Sequence, residues 1–364
     1  MAYTTIDNPE LYFQAKTYTA NASGQSITFD GSENMQPDWI WIKSRSNAHG
    51  HIAADSVRGI SNGGTKILIP DSTQLEETNS SGQGIQTADS DGFTLGSETN
   101  TSGSTNGSGK TYVSWNWKAG TSFSNDASST SVGTIDSSGS VNTTAGFSII
   151  SYTGTGSAGT IAHGLGAVPA WYFIKQRNTT GGWIVYHKGN TSSPETDYLR
   201  LDKNDTTVDD AIFNDTAPTS SVFSIGTNAP VNTSGGTYIA YCFADVKGYS
   251  KFGSYTGNGN ADGPFVYTGF RPAFFLVKRT TGTAKSWIIH DNKRDPNNLV
   301  DAYLYPNSNE AEGTSSSSGV DFLSNGIKLR NTYGSENVSG ETFIYGIFAE
   351  SPFVNSKGVP NNAR

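Results

Sequence analysis

Pro37-Asp38-Trp39-Ile40-Trp41-Ile42-Lys43, Pro169-Ala170-Trp171-Tyr172-Phe173-Ile174-Lys175 and Pro272-Ala273-Phe274-Phe275-Leu276-Val277-Lys278 are three versions of one phrase. Each is a proline, an aromatic and aliphatic run, and a lysine. A short unbroken run of this kind between turn signals reads as a central β-strand buried on both faces. The lysine is expected to mark its emergence into solvent. A tyrosine turn precedes each phrase: Tyr18-Thr19-Ala20-Asn21, Tyr152-Thr153-Gly154-Thr155 and Tyr255-Thr256-Gly257-Asn258. Each copy then closes on Thr111-Tyr112-Val113 to Trp117, Thr237-Tyr238-Ile239 to Phe243, or Thr342-Phe343-Ile344 to Phe348. Self-similarity at a fixed spacing is the signature of repeated structural units.

After the lysine, a Gly-bearing polar turn leads into Trp183-Ile184-Val185-Tyr186-His187 in copy two and Trp287-Ile288-Ile289-His290 in copy three. Two such runs joined by a turn predict a hairpin. Further on, Gly92-Phe93-Thr94-Leu95, Val222-Phe223-Ser224-Ile225 and Gly326-Ile327-Lys328-Leu329 alternate apolar with polar residues, as antiparallel strands with one wet face do. The expected fold is all-β: three tandem antiparallel sandwiches of the lectin or jelly-roll kind, each an independently folded unit with its own apolar core. The units span 15–119, 147–246 and 252–350. They are flanked by a docking segment over 1–14 and a tail over 351–364. The Ser/Thr/Gly-rich stretch 120–146 reads as a linker, while copies two and three, with few residues between them, read as the more rigid pair. A long polar loop is expected over Asn100–Gly109.

Composition narrows the function classes. The 364 residues carry a net charge of −8, which disfavours a phosphate-binding surface, so no nucleic-acid partner is expected. Aromatic residues at 12% argue against disorder despite 42 glycines. No apolar stretch reaches the ~18 residues of a membrane-spanning helix, and no secretory signal opens the chain, so membrane insertion is not expected. Cys242 stands alone between Tyr241 and Phe243, read as a small buried hydrophobe.

Catalytic patterns are equally sparse. Glu76-Glu77, Asp89 with Asp91, and Asp209-Asp210 lie in polar segments with no shared frame, short of the paired carboxylates of glycoside cleavage. No Gly-x-Ser-x-Gly elbow occurs. Asn258 to Gly263 imitates half a calcium loop without its first acidic ligand. His49 and His51 are spaced to share a strand face but lack companion ligands; His163 reads as the brace of the turn at Gly164-Leu165-Gly166. No catalytic residue, cofactor or metal is therefore expected, and the chain is not read as an enzyme. His187 and His290 read as equivalent positions, replaced by Asp55 in copy one. With Trp183 and Trp287 they form the candidate glycan contact at strand ends, because exposed indole rings can stack on sugars.

Several segments resemble a known family. Met1-Ala2-Tyr3-Thr4-Thr5-Ile6-Asp7-Asn8-Pro9, Asp55-Ser56-Val57-Arg58-Gly59, Ile161-Ala162-His163-Gly164-Leu165-Gly166 and the closing Gly358-Val359-Pro360-Asn361-Asn362-Ala363-Arg364 are similar to repeat-bearing virion proteins of marine tailed bacteriophages. The resemblance implies a fibre-like structural protein, made in the host cytoplasm and assembled into the particle. It further implies a tail fibre or appendage for host attachment, with capsid decoration or a plain spacer as alternatives and a carbohydrate-active enzyme behind both. Its implied partners are other virion proteins, reached through the N-terminal segment, a host-surface glycan or protein, and further copies of the chain, a homotrimer above all.

Overall fold

The computed structural model describes residues 3–98 and 104–362. The loop expected over Asn100–Gly109 and both chain ends lie partly outside the described residues. The fold is all-β, and every pairing between its named strands is antiparallel. Each copy builds a large sheet, of six, eight and four strands in turn, around four strands in one spatial order: an opening strand, a closing strand, the aromatic strand and a return strand. In copy one these are Phe13–Thr19, Thr111–Trp117, Trp39–Ser44 and Ile52–Asp55. In copy two they are Phe147–Thr153, Thr237–Phe243, Trp171–Gln176 and Trp183–His187. In copy three they are Ser250–Thr256, Thr342–Pro352, Phe270–Arg279 and Ile288–Asp291. A small sheet faces each large one, led by Gln25–Ile27, Gly159–Ala162 or Phe265–Tyr267.

Alternation along the aromatic strands sorts their side chains into two kinds of core, because successive residues on a strand face opposite ways. Ile40 and Ile42, Tyr172 and Ile174, and Phe275 and Val277 fill the space between the large and small sheets of their own copies. Trp39 and Trp41, Trp171 and Phe173, and Phe274 and Leu276 point the other way, into one core shared by all three copies. Register makes this equivalence residue by residue: Trp117 pairs Trp39, Phe243 pairs Trp171 and Phe348 pairs Phe274. Those three closing-strand rings meet at the centre, 5.6 Å apart for Trp117–Phe348 and Phe243–Phe348 and 6.2 Å for Trp117–Phe243. Each such ring contributes ~2–3 kcal/mol of burial. The central strands are thus buried on both faces as expected, but the second face is covered by other copies. Each unit has a core between its own two sheets, and all three contribute to the shared one.

The linker expected over 120–146 is corrected, and the two terminal segments are placed. Residues 120–146 hold a hairpin, Thr121–Asn125 with Ser137–Asn142, which extends the large sheet of copy two beyond its opening strand. Ser and Thr suffice there because an edge hairpin needs backbone pairing more than apolar side chains. The N-terminal segment is fastened down: Ile6 is buried in the shared core, Thr4 Oγ1 donates to Lys247 O (2.7 Å) and Tyr3 hydroxyl to Gly269 O (2.8 Å). The tail lies beside it, Ser356 N donating to Asp7 Oδ1 at 2.6 Å and Asn361 Nδ2 to Ser324 O at 3.0 Å.

Candidate functional site

Lys43, Lys175 and Lys278 do not emerge into solvent; all three are fully buried. Each stands one residue before the end of its aromatic strand, where a loop of another copy crosses it. Lys43 Nζ donates to Ser44 O (2.9 Å) and to Asn309 O of copy three (3.3 Å). Lys175 Nζ donates to Gly181 O (2.5 Å) and to Thr73 O of copy one (3.1 Å). Lys278 Nζ donates to Arg279 O and Lys285 O (both 2.8 Å) and to Asn204 O of copy two (3.1 Å). The pattern is cyclic: copy one reaches three, three reaches two, two reaches one. Burial drives the ammonium values down, to about 8 for Lys43 and Lys175 and about 7 for Lys278, since desolvation disfavours the charged form.

The expected glycan contacts lie in the same junctions. Trp183, His187, Trp287 and His290 are each no more than 1% exposed and cannot meet a ligand. Trp183 Nε1 donates to Ile69 O of copy one (3.0 Å) and Trp287 Nε1 to Arg200 O of copy two (2.8 Å). His51 takes that place in copy one. Its Nδ1 accepts from Trp41 Nε1 (2.9 Å), so its Nε2 carries the proton toward Tyr305 O of copy three (3.0 Å). Burial holds His51 neutral, far below the usual imidazole range.

The true counterparts of His187 are Asp55 and Asp291, opposite Trp39 and Phe274 as His187 is opposite Trp171. His290 sits one residue earlier and faces its own copy's interior, bonded to Ala302 O (3.0 Å) and Glu336 Oε1 (2.7 Å). Asp55 accepts from Arg58 Nε (2.5 Å) and from the Tyr241 hydroxyl of copy two (2.7 Å). Asp291 accepts from Arg294 Nε (2.5 Å) and from Trp115 Nε1 of copy one (3.0 Å). Burial alone would raise the Asp291 carboxyl, but the Arg294 guanidinium holds it below the usual carboxylate range. Glu76 and Glu312 extend these clusters to Arg177 and Arg45 (each 2.8 Å at the closest approach). In the third junction His187, Asn190 and Thr207 replace the Asp, Arg and Glu, and Thr207 Oγ1 donates to Asn190 Oδ1 at 2.6 Å. There His187 Nε2 donates to a backbone oxygen, Tyr345 O (3.0 Å), because the next residue, Gly346, has no side chain to offer. The charged junctions share the spacing Asp-x-x-Arg, visible in the sequence at Asp55–Arg58 and Asp291–Arg294, which a search for catalytic pairs passes over.

The remaining candidates do not converge. Among the described residues no group of three His, Cys, Asp or Glu side chains could hold a metal. His163 Nδ1 accepts from Leu165 N (3.2 Å), and burial lowers its value to about 4. Cys242 is buried, its thiol pushed up by desolvation. Asp262 of the calcium-like loop is highly exposed and paired with Lys328 (2.7 Å). Glu77 is exposed, and Asp89 Oδ1 accepts from Thr87 Oγ1 at 2.7 Å. A cavity of about 630 Å³ is an open polar groove along the edge hairpin of copy two, between Asp126, Asp136 and Thr155. No helix among the described residues is long and apolar enough to cross a membrane. The buried lysines and the Asp–Arg pairs, by contrast, lock copy to copy.

No curated protein matches the chain. One family profile, described as a domain of unknown function, spans residues 8–352 and so takes in all three copies with their shared core. With that span covered, the chain belongs to the DUF7483 family.

Proposed function

We propose that this chain is a non-enzymatic structural component of a tailed-bacteriophage particle, a tail fibre or appendage that presents β-sandwich modules to the host surface. The observation that carries the reading is the closure of three copies around one aromatic core, with the three buried lysines, the Asp–Arg clusters and the indole N–H groups of Trp115, Trp183 and Trp287 engaged in junctions. Such an arrangement supports a rigid display body, since binding surfaces are best held by scaffolds that do not move. The resemblance of the N-terminal segment, the His163 turn and the C-terminal residues to phage virion proteins supports the particle.

A homotrimer by analogy with fibres stays part of the reading, and it would use outer surfaces, because the aromatic faces of the three copies are buried against one another within one polypeptide. Avidity then comes from many chains on one particle, where linked sites can gain ~10²–10⁴ in effective affinity without new contacts. Mass spectrometry and cryo-electron microscopy of purified virions from the source phage are expected to find the chain at an outer tail position. Antibodies against it are expected to block adsorption. Its absence from the particle would overturn the proposal, whereas presence on the capsid without any effect on adsorption would replace attachment with decoration.

A further inference from the structure

The three copies differ most usefully at the first strand of the small sheet. Cross-strand partners align these strands: Ile27 opposite Phe93, Ile161 opposite Phe223 and Val266 opposite Ile327 are the inward residues. The flanking outward positions are Ser26 and Thr28 in copy one, Thr160 and Ala162 in copy two, and Phe265 and Tyr267 in copy three. In copy two the strand edge is covered, Thr134 N and Ile135 N both donating to Thr160 O (2.9 and 3.1 Å). In copy three nothing comparable covers it among the described residues, and Phe265 and Tyr267 are 46% and 49% exposed. Copy one shows that the frame folds with Ser and Thr there, so general sandwich packing does not demand two aromatic rings.

The surroundings of these rings indicate the ligand. Phe265 lies along Gly326, where an added Cβ would come within 3.0 Å of its ring. The side chain is thereby held against the sheet, with about half its surface open. Tyr3 extends the patch, its hydroxyl 3.3 Å from that of Tyr267. Lys247 Nζ stands 4.4 Å over the Tyr3 ring, and Lys251 Nζ 5.4 Å over the Tyr267 ring while donating to Tyr267 O at 2.7 Å. Lys328 and Arg330 are matched by Asp262 and Asp321, but Lys247 and Lys251 have no carboxylate partner among the described residues. Two unpaired ammonium groups beside open ring faces, on a chain of net charge −8, are complementary to a ligand with apolar C–H faces and carboxylates.

We propose that Phe265, Tyr267, Lys251 and Lys247 form a binding platform for an acidic, uronate-bearing polysaccharide. Sugar rings would stack on the aromatic faces, and their carboxylates would pair with the two lysines. The platform deepens the attachment reading above and rests on it for its biological setting. Two free cations are too few to track a phosphate backbone, which sets the site apart from single-strand nucleic-acid grooves, where a charged path accompanies the stacking rings.

The test is calorimetric titration of the full chain with polyuronate oligomers, a neutral dextran of equal length, a single-stranded oligonucleotide and an extended peptide. Polyuronate is expected to bind, more weakly as salt rises, and dextran to bind less well. The double variant Phe265→Ser, Tyr267→Thr, which gives copy three the residues of copy one, is expected to lose about tenfold in affinity at an unchanged melting temperature. Lys251→Gln is expected to weaken binding several-fold and flatten the salt dependence. Equal affinity for dextran, undiminished binding by the double variant, or preference for oligonucleotide or peptide would overturn the proposal. Failure here leaves virion location untouched, because that is read from particles and not from saccharide binding.

Discussion

A lysine at the end of an apolar strand can sit in solvent or bury its ammonium group under carbonyl oxygens, and here all three do the latter. Their folded values of about 7 to 8 lie below the ~10.4 of an unfolded lysine, so the unfolded chain binds more protons between those limits. The stability linked to them is complete above the unfolded value and is lost as pH falls through 8 to 7. Buried Tyr152, Tyr172 and Tyr249, whose values burial raises, act oppositely above pH ~10, where the unfolded chain ionises first. Urea denaturation is therefore expected to show rising stability from pH 7 to 9 and a decline above 10. Lys278→Met is expected to flatten the rising limb. It should also lower stability by about 1–3 kcal/mol at pH 9, since Asn204 O, Arg279 O and Lys285 O lose their donor.

Among the elements, the closing strands show what distinguishes one copy from another. Trp115, Tyr241 and Gly346 occupy one register position, each two residues before the ring that meets its counterparts at the centre. In copy three the missing side chain makes room for Trp171: a Cβ on Gly346 would lie 2.0 Å from its Cζ3. Gly346→Ala is expected to cost about 1–3 kcal/mol by overpacking, read as a fall in the denaturation midpoint. Adding Trp171→Phe should recover part of that loss. A neutral Gly346→Ala would mean the ring can move aside, and the junction is looser than its geometry implies. The edge hairpin Thr121–Asn142 was hidden in the sequence for a different reason. Its strands contain Phe123 and Val141 among Ser and Thr, and polar edge pairing leaves no apolar periodicity to read.

The whole molecule is expected to unfold as one cooperative body, because each copy packs an aromatic face against the other two. Calorimetry is expected to show a single unfolding transition for the full chain. A fragment comprising 252–350 alone is expected to be unfolded or aggregated, with Phe274, Leu276, Trp287 and Phe348 uncovered. Three separable transitions, or a well-folded fragment, would restore the picture of independent units.

The sequence by itself determined the aromatic and return strands, the all-β class and the equivalence of the copies, since aromatic runs, turn residues and period-two alternation are local signals. Only the tertiary structure decided which face of each aromatic strand meets its own small sheet and which meets its neighbours. An indole looks the same in sequence whether it covers a sugar or another indole. The tertiary structure moved Trp183, His187, Trp287 and His290 from surface to interior and left Phe265 and Tyr267 outside, because exposure depends on what other segments cover and not on the residue alone.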